Sequence, residues 1–111
     1  MSAEFRAQVE SALEEEEPED LLGLIIEIAL AADDVGWAAD CLERLAAHAH
    51  TDVRGNALMG FAHLSTRLGG LDRGRVEPIL AAALHDEKAY VRGQAEACLE
   101  ELGWRVEADE G

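Results

Sequence analysis

Aromatic residues, cysteine and proline are scarce in this chain of 111 residues, and basic residues are few. Aromatic side chains make up 5% of the sequence, and proline and cysteine occur twice each. Runs of β-branched residues are nearly absent, whereas alanine, leucine and glutamate, which lose little entropy in a helix, are plentiful. The composition predicts one all-α domain, large enough to bury a core without disulfide bonds.

The shortage of basic residues leaves the chain strongly acidic. Nine Lys and Arg oppose 24 Asp and Glu, for a formal net charge of −15. Residues 1–50 hold 13 of the acidic residues and only 2 of the basic ones. Nucleic acids and anionic membranes would repel such a chain, so we predict no binding to either. A basic protein would be attracted to it, although the charge could also serve solubility alone.

Neither cysteine has the surroundings of a redox or metal site. Cys41 and Cys98 lie inside apolar helical patterns, far apart and outside any CxxC pair. They are typical of small buried residues in a reducing compartment. No basic segment followed by an apolar stretch opens the chain, and the longest apolar run, 21–32, is interrupted by Glu27. We therefore expect a cytoplasmic protein.

Apolar spacing of three and four residues predicts six helices. They extend over about 2–17, 18–32, 36–49, 51–68, 73–85 and 87–102. The second is apolar around most of its circumference, so we expect it to be buried on nearly all sides, at the centre of the fold. Ser2, Thr51 and Asp72 are predicted N-caps, and Pro78 is predicted to lie late in the first turn of the fifth helix.

The fourth and sixth predicted helices repeat one another. Segment 53–57 (VRGNA) corresponds to segment 91–95 (VRGQA) at an offset of 38 residues. At the same offset, Phe61 and Leu64 fall on Leu99 and Leu102. A period near 40 with two helices in each unit is typical of an α-solenoid, in which stacked hairpins bury apolar faces that none could bury alone.

On these residues the chain resembles the HEAT-repeat family over roughly 37–104. The pattern that carries the resemblance is an acidic turn residue, then Val-Arg, then alanine: Asp86, Val91-Arg92 and Ala95. The earlier unit departs from it, because His48 stands at the position of Asp86. The resemblance implies that Arg54, Arg92 and Asp86 are structural residues, because the matching Arg in HEAT-like folds bonds to the inter-helix turn, often through the Asp.

The resemblance further implies a short α-solenoid of antiparallel helical hairpins with about six helices, forming one domain over 1–104. Within it, 1–35 is expected to be a degenerate capping hairpin, and 36–70 and 71–104 to be repeats. The remaining residues, 105–111, are expected to form a disordered acidic tail.

No catalytic, cofactor or metal motif is present. The sequence has no phosphate-binding glycine loop, zinc-protease motif, nucleophile elbow or EF-hand loop. His48 and His50 are two residues apart and would point to different sides of a helix, and the carboxylate runs have the character of solvated surface. We predict a chain that is not an enzyme and uses neither cofactor nor metal.

A candidate binding surface emerges from the outer sides of the fourth and sixth helices. Met59 and His63 lie on one, and Glu96, Glu100 and Glu101 on the other. An apolar centre with a charged rim is typical of a protein interface, so these five residues are the predicted partner-binding set. The alternative is an ordinary solvated helix face.

The resemblance also suggests a role. Small HEAT-like proteins similar in size and charge occur among immunity proteins that neutralise secreted toxins, which implies an inhibitor that occludes a basic partner. Two alternatives stay open: a structural or assembly scaffold that acts through self-association, and a HEAT-like protein that handles a cofactor or pigment. The first alternative predicts a homo-oligomer without a tight basic partner.

Overall fold

The computed structural model describes residues 2–104, which form six α-helices and no strand. The helices are α1 (Ala3–Glu15), α2 (Pro18–Ala31), α3 (Val35–Ala46), α4 (Thr51–Leu68), α5 (Arg73–Ala83) and α6 (Ala89–Leu102). The prediction of an all-α fold with six helices is thereby confirmed. The tail predicted over 105–111 lies outside the described residues.

Helices that follow one another pack in pairs, and alternate helices also touch. Contacts join α1 to α2, α3 to α4 and α5 to α6. Among the odd-numbered helices, Phe5 of α1 meets Trp37 of α3 with ring centroids 6.0 Å apart, and α3 contacts α5. Among the even-numbered helices, α4 contacts both α2 and α6. The even-numbered helices α2, α4 and α6 therefore lie side by side.

The centre of the fold is α4, so the prediction that α2 would occupy it is wrong. Helix α4 packs against α2, α3 and α6, and its Phe61 is completely buried. Helix α2 is also not buried on nearly all sides, because 59% of Ile26 and 68% of Leu30 are exposed. Helix α6 is the third helix in the row, beyond α4, and the described residues leave Ile26 and Leu30 of α2 exposed.

Local signals mark the starts of some helices but not of others. The Ser2 side chain accepts a hydrogen bond from the Phe5 N–H at 3.1 Å, as an N-cap should, and Pro18 begins α2. Thr51 is the first residue of α4 rather than its cap, since His50 occupies the cap position. Asp72 is at the N-cap position of α5 but its side chain makes no capping hydrogen bond.

Pro78 lies deeper in α5 than predicted. The helix begins at Arg73, so Pro78 is its sixth residue and stands beyond the first turn. A proline there removes the hydrogen bond to the carbonyl four residues earlier, which belongs to Gly74. Both residues are exposed, so water can satisfy that carbonyl.

Arg54 joins two inter-helix turns. Its guanidinium donates two hydrogen bonds to the carboxylate of Asp86, at 2.8 and 2.9 Å, and two more to the carbonyls of His48 and Ala49. The turn that carries Asp86 also binds the other repeat arginine, Arg92, which donates to the Asp86 carbonyl at 2.7 Å. Arg54 thus links the turn before α4 to the turn before α6.

The same contacts keep Asp86 ionised to low pH. The hydrogen bonds from Arg54, followed by the one from the Lys88 N–H at 2.9 Å, lower the pKa of the Asp86 carboxyl from 3.8 to about 2. Hydrogen bonds and a nearby positive charge both favour the carboxylate over the acid.

The repeat-equivalent glycines of α4 and α6 have different surroundings. A Cβ on Gly55 would lie 2.6 Å from a ring carbon of Tyr90, whereas a Cβ on Gly93 would meet nothing within 4 Å. Gly55 lets α6 approach α4 closely, and Gly93 is exposed.

These surroundings predict opposite effects of alanine at the two sites. Gly93→Ala is expected to raise the free energy of unfolding by about 0.5–1 kcal/mol, because alanine is the better helix former. Gly55→Ala is expected to lower it by about 1–2 kcal/mol, because Tyr90 must move. Urea unfolding followed by circular dichroism measures both. A Gly55→Ala protein as stable as the wild type, or more stable, would contradict the close α4–α6 contact.

Candidate partner-binding surface

A groove of about 380 Å³ opens on the side of the molecule where α2, α4 and α6 lie next to one another. Its lining is Leu22, Ile25, Ile26, Ala29, Leu30, Asn56, Met59, His63 and Gln94. None of these nine side chains is Asp, Glu, Lys or Arg, although those residues make up 30% of the chain. The groove is thus a neutral, mostly apolar depression in an acidic protein.

Helix α2 forms one side of the groove, here termed the apolar wall: Leu22, Ile26 and Leu30. The three residues follow at intervals of four, which places them on one face of the helix. The opposite face carries Leu21, Leu24 and Ile28 into the core. Sequence reasoning missed the wall, because a helix that is apolar all around does not reveal which face its neighbours cover.

Helix α4 forms the floor of the groove. Asn56, Met59 and His63 recur at intervals of three and four, on the side of α4 that neither α2 nor α6 covers. Beside the floor, the Tyr90 hydroxyl is hydrogen-bonded to the Asn56 side chain, and Gly55 accommodates the Tyr90 ring. Tyr90, the second residue of α6, is 43% exposed and continues the surface from the floor of the groove onto α6.

Arg67 fastens the end of α2 to α4. Its guanidinium donates to the carbonyls of Ala29, at 2.8 Å, and of Ala32, two of the carbonyls that the helix end leaves without partners. A positive charge is also favourable at a helix C-terminus. Arg67 is therefore a positioning residue for the apolar wall. It went unnoticed in the sequence because its partners lie 35 and 38 residues away.

Of the five residues predicted to bind a partner, the structure brings two into the groove. Met59 and His63 line it, whereas Glu96, Glu100 and Glu101 are exposed on α6 and do not. At the 38-residue offset, Glu96 and Glu100 correspond to Leu58 and Ala62.

The repeat register explains why the two carboxylates face solvent. Leu58 and Ala62 of α4 are buried where α4 packs against the hairpin formed by α5 and α6. Within residues 2–104 no helix follows α6, so Glu96 and Glu100 lie at the open end of the stack. Their role in binding stays a prediction.

Acidic side chains outnumber basic ones by 21 to 8 in residues 2–104. Each of the seven arginines in residues 2–104 donates at least one hydrogen bond within the chain. Arg75, for example, pairs with Asp40 and Glu43. Glu96, Glu100 and Glu101 form no ion pair with any described residue. Unpaired carboxylates are thus left at the surface beside a neutral groove.

Other reactive groups lie away from the groove and are not arranged for chemistry. Burial raises the pKa of the Cys41 thiol to about 11 and that of Cys98 to about 12, which disfavours the nucleophilic thiolate. His48 and His50 share the turn before α4, where the His50 N–H donates to His48 Nδ1 at 3.0 Å. No three His, Cys, Asp or Glu side chains of residues 2–104 gather as metal ligands would.

None of the described helices combines the length and apolar character needed to cross a membrane.

Comparison with known proteins gives one structural likeness. No protein-family model matches the chain, and no curated protein matches it either. Its fold is similar to that of a chain in the crystal structure of a CDI complex from Cupriavidus taiwanensis LMG 19424, with a TM-score of 0.79 and 26% sequence identity. The likeness covers 90% of this chain and 89% of that chain. The HEAT-repeat resemblance has no support from a family model and stays a prediction.

Proposed function

We propose that this chain is a non-catalytic immunity protein that binds a basic toxin and occludes its active cleft. The observation that carries the proposal is the likeness, over nearly the full length of both chains, to a chain of a CDI complex. CDI denotes contact-dependent inhibition, in which a toxin is paired with an immunity protein. Small size, acidity and a neutral groove on the surface favour the immunity role over the toxin role.

The chemistry of the described residues supports a binding role. Residues 2–104 bring together no nucleophile, base and orienting group, and their two thiols are buried with raised pKa values. An acidic surface attracts a basic protein over distances of the order of a Debye length and raises the association rate. Steric and electrostatic occlusion of a toxin's active cleft therefore requires only the groove and the acidic surface of this chain.

The first experiment is affinity capture from a lysate of the source organism at low and at physiological ionic strength, with identification of the retained proteins by mass spectrometry. We expect one basic protein, held at both ionic strengths. That protein is then produced in cells with and without this chain. Growth should be arrested only in the cells that lack this chain. Growth unaffected by the captured protein would overturn the immunity role, and recovery of the bait alone as a dimer would favour a self-associating scaffold.

The acidic end of α6 can be tested once the partner is identified. The double variant Glu96→Lys/Glu100→Lys is expected to slow association by about tenfold at low salt and to flatten its salt dependence, because rim charges act mainly on the encounter rate. Glu14→Lys/Glu15→Lys, which makes the same change of charge at exposed positions of α1, is the matched control. Stopped-flow or surface-plasmon measurements give both rates. Equal association rates for the two variants would remove Glu96 and Glu100 from the binding surface.

A further inference from the structure

The exposed apolar residues of this protein are concentrated around the groove. Within residues 2–104, four large hydrophobic side chains are exposed, namely Ile26, Leu30, Leu68 and Tyr90. Ile26 and Leu30 line the groove, and Tyr90 bonds to Asn56 on its floor. Large apolar side chains clustered beside a depression mark an interaction site, whereas the same residues scattered singly would need no explanation.

The lining determines what the occupant presents. With no charged side chain among the nine residues, the groove favours apolar atoms, and it has room for more than one side chain. Asn56, His63 and Gln94 supply polar groups at its floor and far side. The apolar wall offers contacts at intervals of four residues along α2, which is about 6 Å per interval.

The surroundings determine the charge of the occupant. Glu27 is exposed next to Ile26, and Glu101 is exposed on α6, at the position that corresponds to His63 in the repeat. These two residues place carboxylates on two of the helices that line the groove, in a chain whose net charge is −15. A second copy of this chain would bring another net charge of −15 to the same surface, which opposes self-association through the groove.

We infer that the groove receives the apolar face of a basic amphipathic helix of the partner, with Ile26, Leu30 and Met59 as the main contact residues. A helix fits because a row of apolar side chains at intervals of four matches the wall, which is the helix-in-groove mode of recognition. An added strand has no edge to pair with, since residues 2–104 contain no strand. The inference rests on the proposed function and identifies the partner element that this surface binds.

The test uses a matched pair of synthetic helical peptides of about 20 residues, above the length of about 12–15 residues at which isolated helices are marginal. One carries leucine on a single face with alanine and lysine elsewhere, and the other carries alanine in place of leucine, because alanine preserves the helix. Titration calorimetry at physiological ionic strength gives the affinities. The chain has only two methionines, Met1 and Met59, so the ¹³C methyl spectrum has a reporter inside the groove.

We expect the leucine peptide to bind and to shift the Met59 methyl signal, and the alanine peptide to bind at least about tenfold more weakly. Ile26→Ala and Leu30→Ala should each lower the affinity for the leucine peptide by about tenfold, because each substitution removes apolar contact area. The two variants should stay folded, since both side chains are mostly exposed, and a thermal melt checks this. Leu68→Ala, a change at an exposed residue outside the groove, is the control and should leave binding unchanged.

Four results would overturn the inference. Equal affinity for both peptides would mean that attraction is electrostatic alone. Equal affinity of the leucine peptide for the wild type and both wall variants, or a Met59 methyl signal unmoved by the bound leucine peptide, would place binding elsewhere. A dimer in sedimentation that Ile26→Ala dissociates would make a second copy the occupant. None of these results depends on growth protection, so the inference and the proposed function can fail separately.

Discussion

Replacing Phe61 by alanine is expected to lower the free energy of unfolding by about 3–5 kcal/mol, which is a large part of the stability of a small domain. Phe61 is completely buried in α4, the helix that contacts α2, α3 and α6. Removing its ring takes away buried apolar area and leaves a cavity in the core. Urea unfolding monitored at 222 nm measures the change.

Leu30→Ala is the control for Phe61→Ala, because it removes a large apolar side chain that is 68% exposed. Its cost should be within about 0.5 kcal/mol. The comparison separates apolar residues that hold the fold together from apolar residues that are available to a partner. A Phe61→Ala protein within about 1 kcal/mol of the wild type would contradict the packing around α4.

Arg54→Met is expected to destabilise the fold by about 2–3 kcal/mol. The substitution keeps an apolar stem but leaves the Asp86 carboxylate and the carbonyls of His48 and Ala49 without four hydrogen bonds. Both charged side chains of the pair are only 15% exposed, so water compensates poorly. Urea unfolding at pH 7 gives the loss directly.

The repeat provides a matched control for Arg54. Arg92 stands at the equivalent position of α6 and donates to one carbonyl at an exposed site. Arg92→Met should therefore cost less than about 1 kcal/mol. Similar losses at the two positions would show that the bond to the Asp86 carboxylate adds nothing to stability.

The pH dependence of the Arg54→Met effect follows from the lowered pKa of Asp86. The folded pKa of about 2 lies below the usual value of 3.8, so the pair stabilises the fold above pH 3.8. That stabilisation is lost as the pH falls through about 2, where the carboxyl is protonated in both states. The difference between wild type and Arg54→Met should shrink over this interval, and a constant difference would exclude Asp86 as its cause.

The groove and the acidic surface would contribute to different stages of binding. Carboxylates such as Glu96 and Glu100 attract a basic partner and affect mainly the association rate, which salt reduces. Ile26 and Leu30 can lose their exposed area only in the docked complex, and such contacts act mainly on the dissociation rate. An inhibitor that must find a toxin quickly and hold it benefits from both.

Sequence patterns alone determined the local structure of this protein. Apolar residues at intervals of three and four predicted six helices, and the predicted bounds of α4, 51–68, are those observed. Capping chemistry placed the start of α1 at Ser2 and that of α2 at Pro18. These features depend on residues within a turn or two of one another, so the sequence contains the information that decides them.

The repeat carried the prediction further, to contacts across the fold. Its register, together with the HEAT-repeat resemblance, pointed to bonds from Arg54 and Arg92 to inter-helix turns. The structure shows that the carboxylate bound by Arg54 is that of Asp86, 32 residues away. A repeat links distant residues because the same contact recurs at a fixed offset.

Only the tertiary structure decided which faces stay exposed. The apolar residues of α2 do not differ enough to show that Ile26 and Leu30 would face solvent while Leu21 and Ile28 enter the core. That division depends on where α4 packs, and Arg67 of α4 holds the end of α2 in place through carbonyls that carry no side-chain signature. Met59 and His63 were identified from sequence as surface residues, but their place in a groove depends on three helices packing side by side. Helix periodicity is a property of one segment, whereas a groove is a property of the packing between segments.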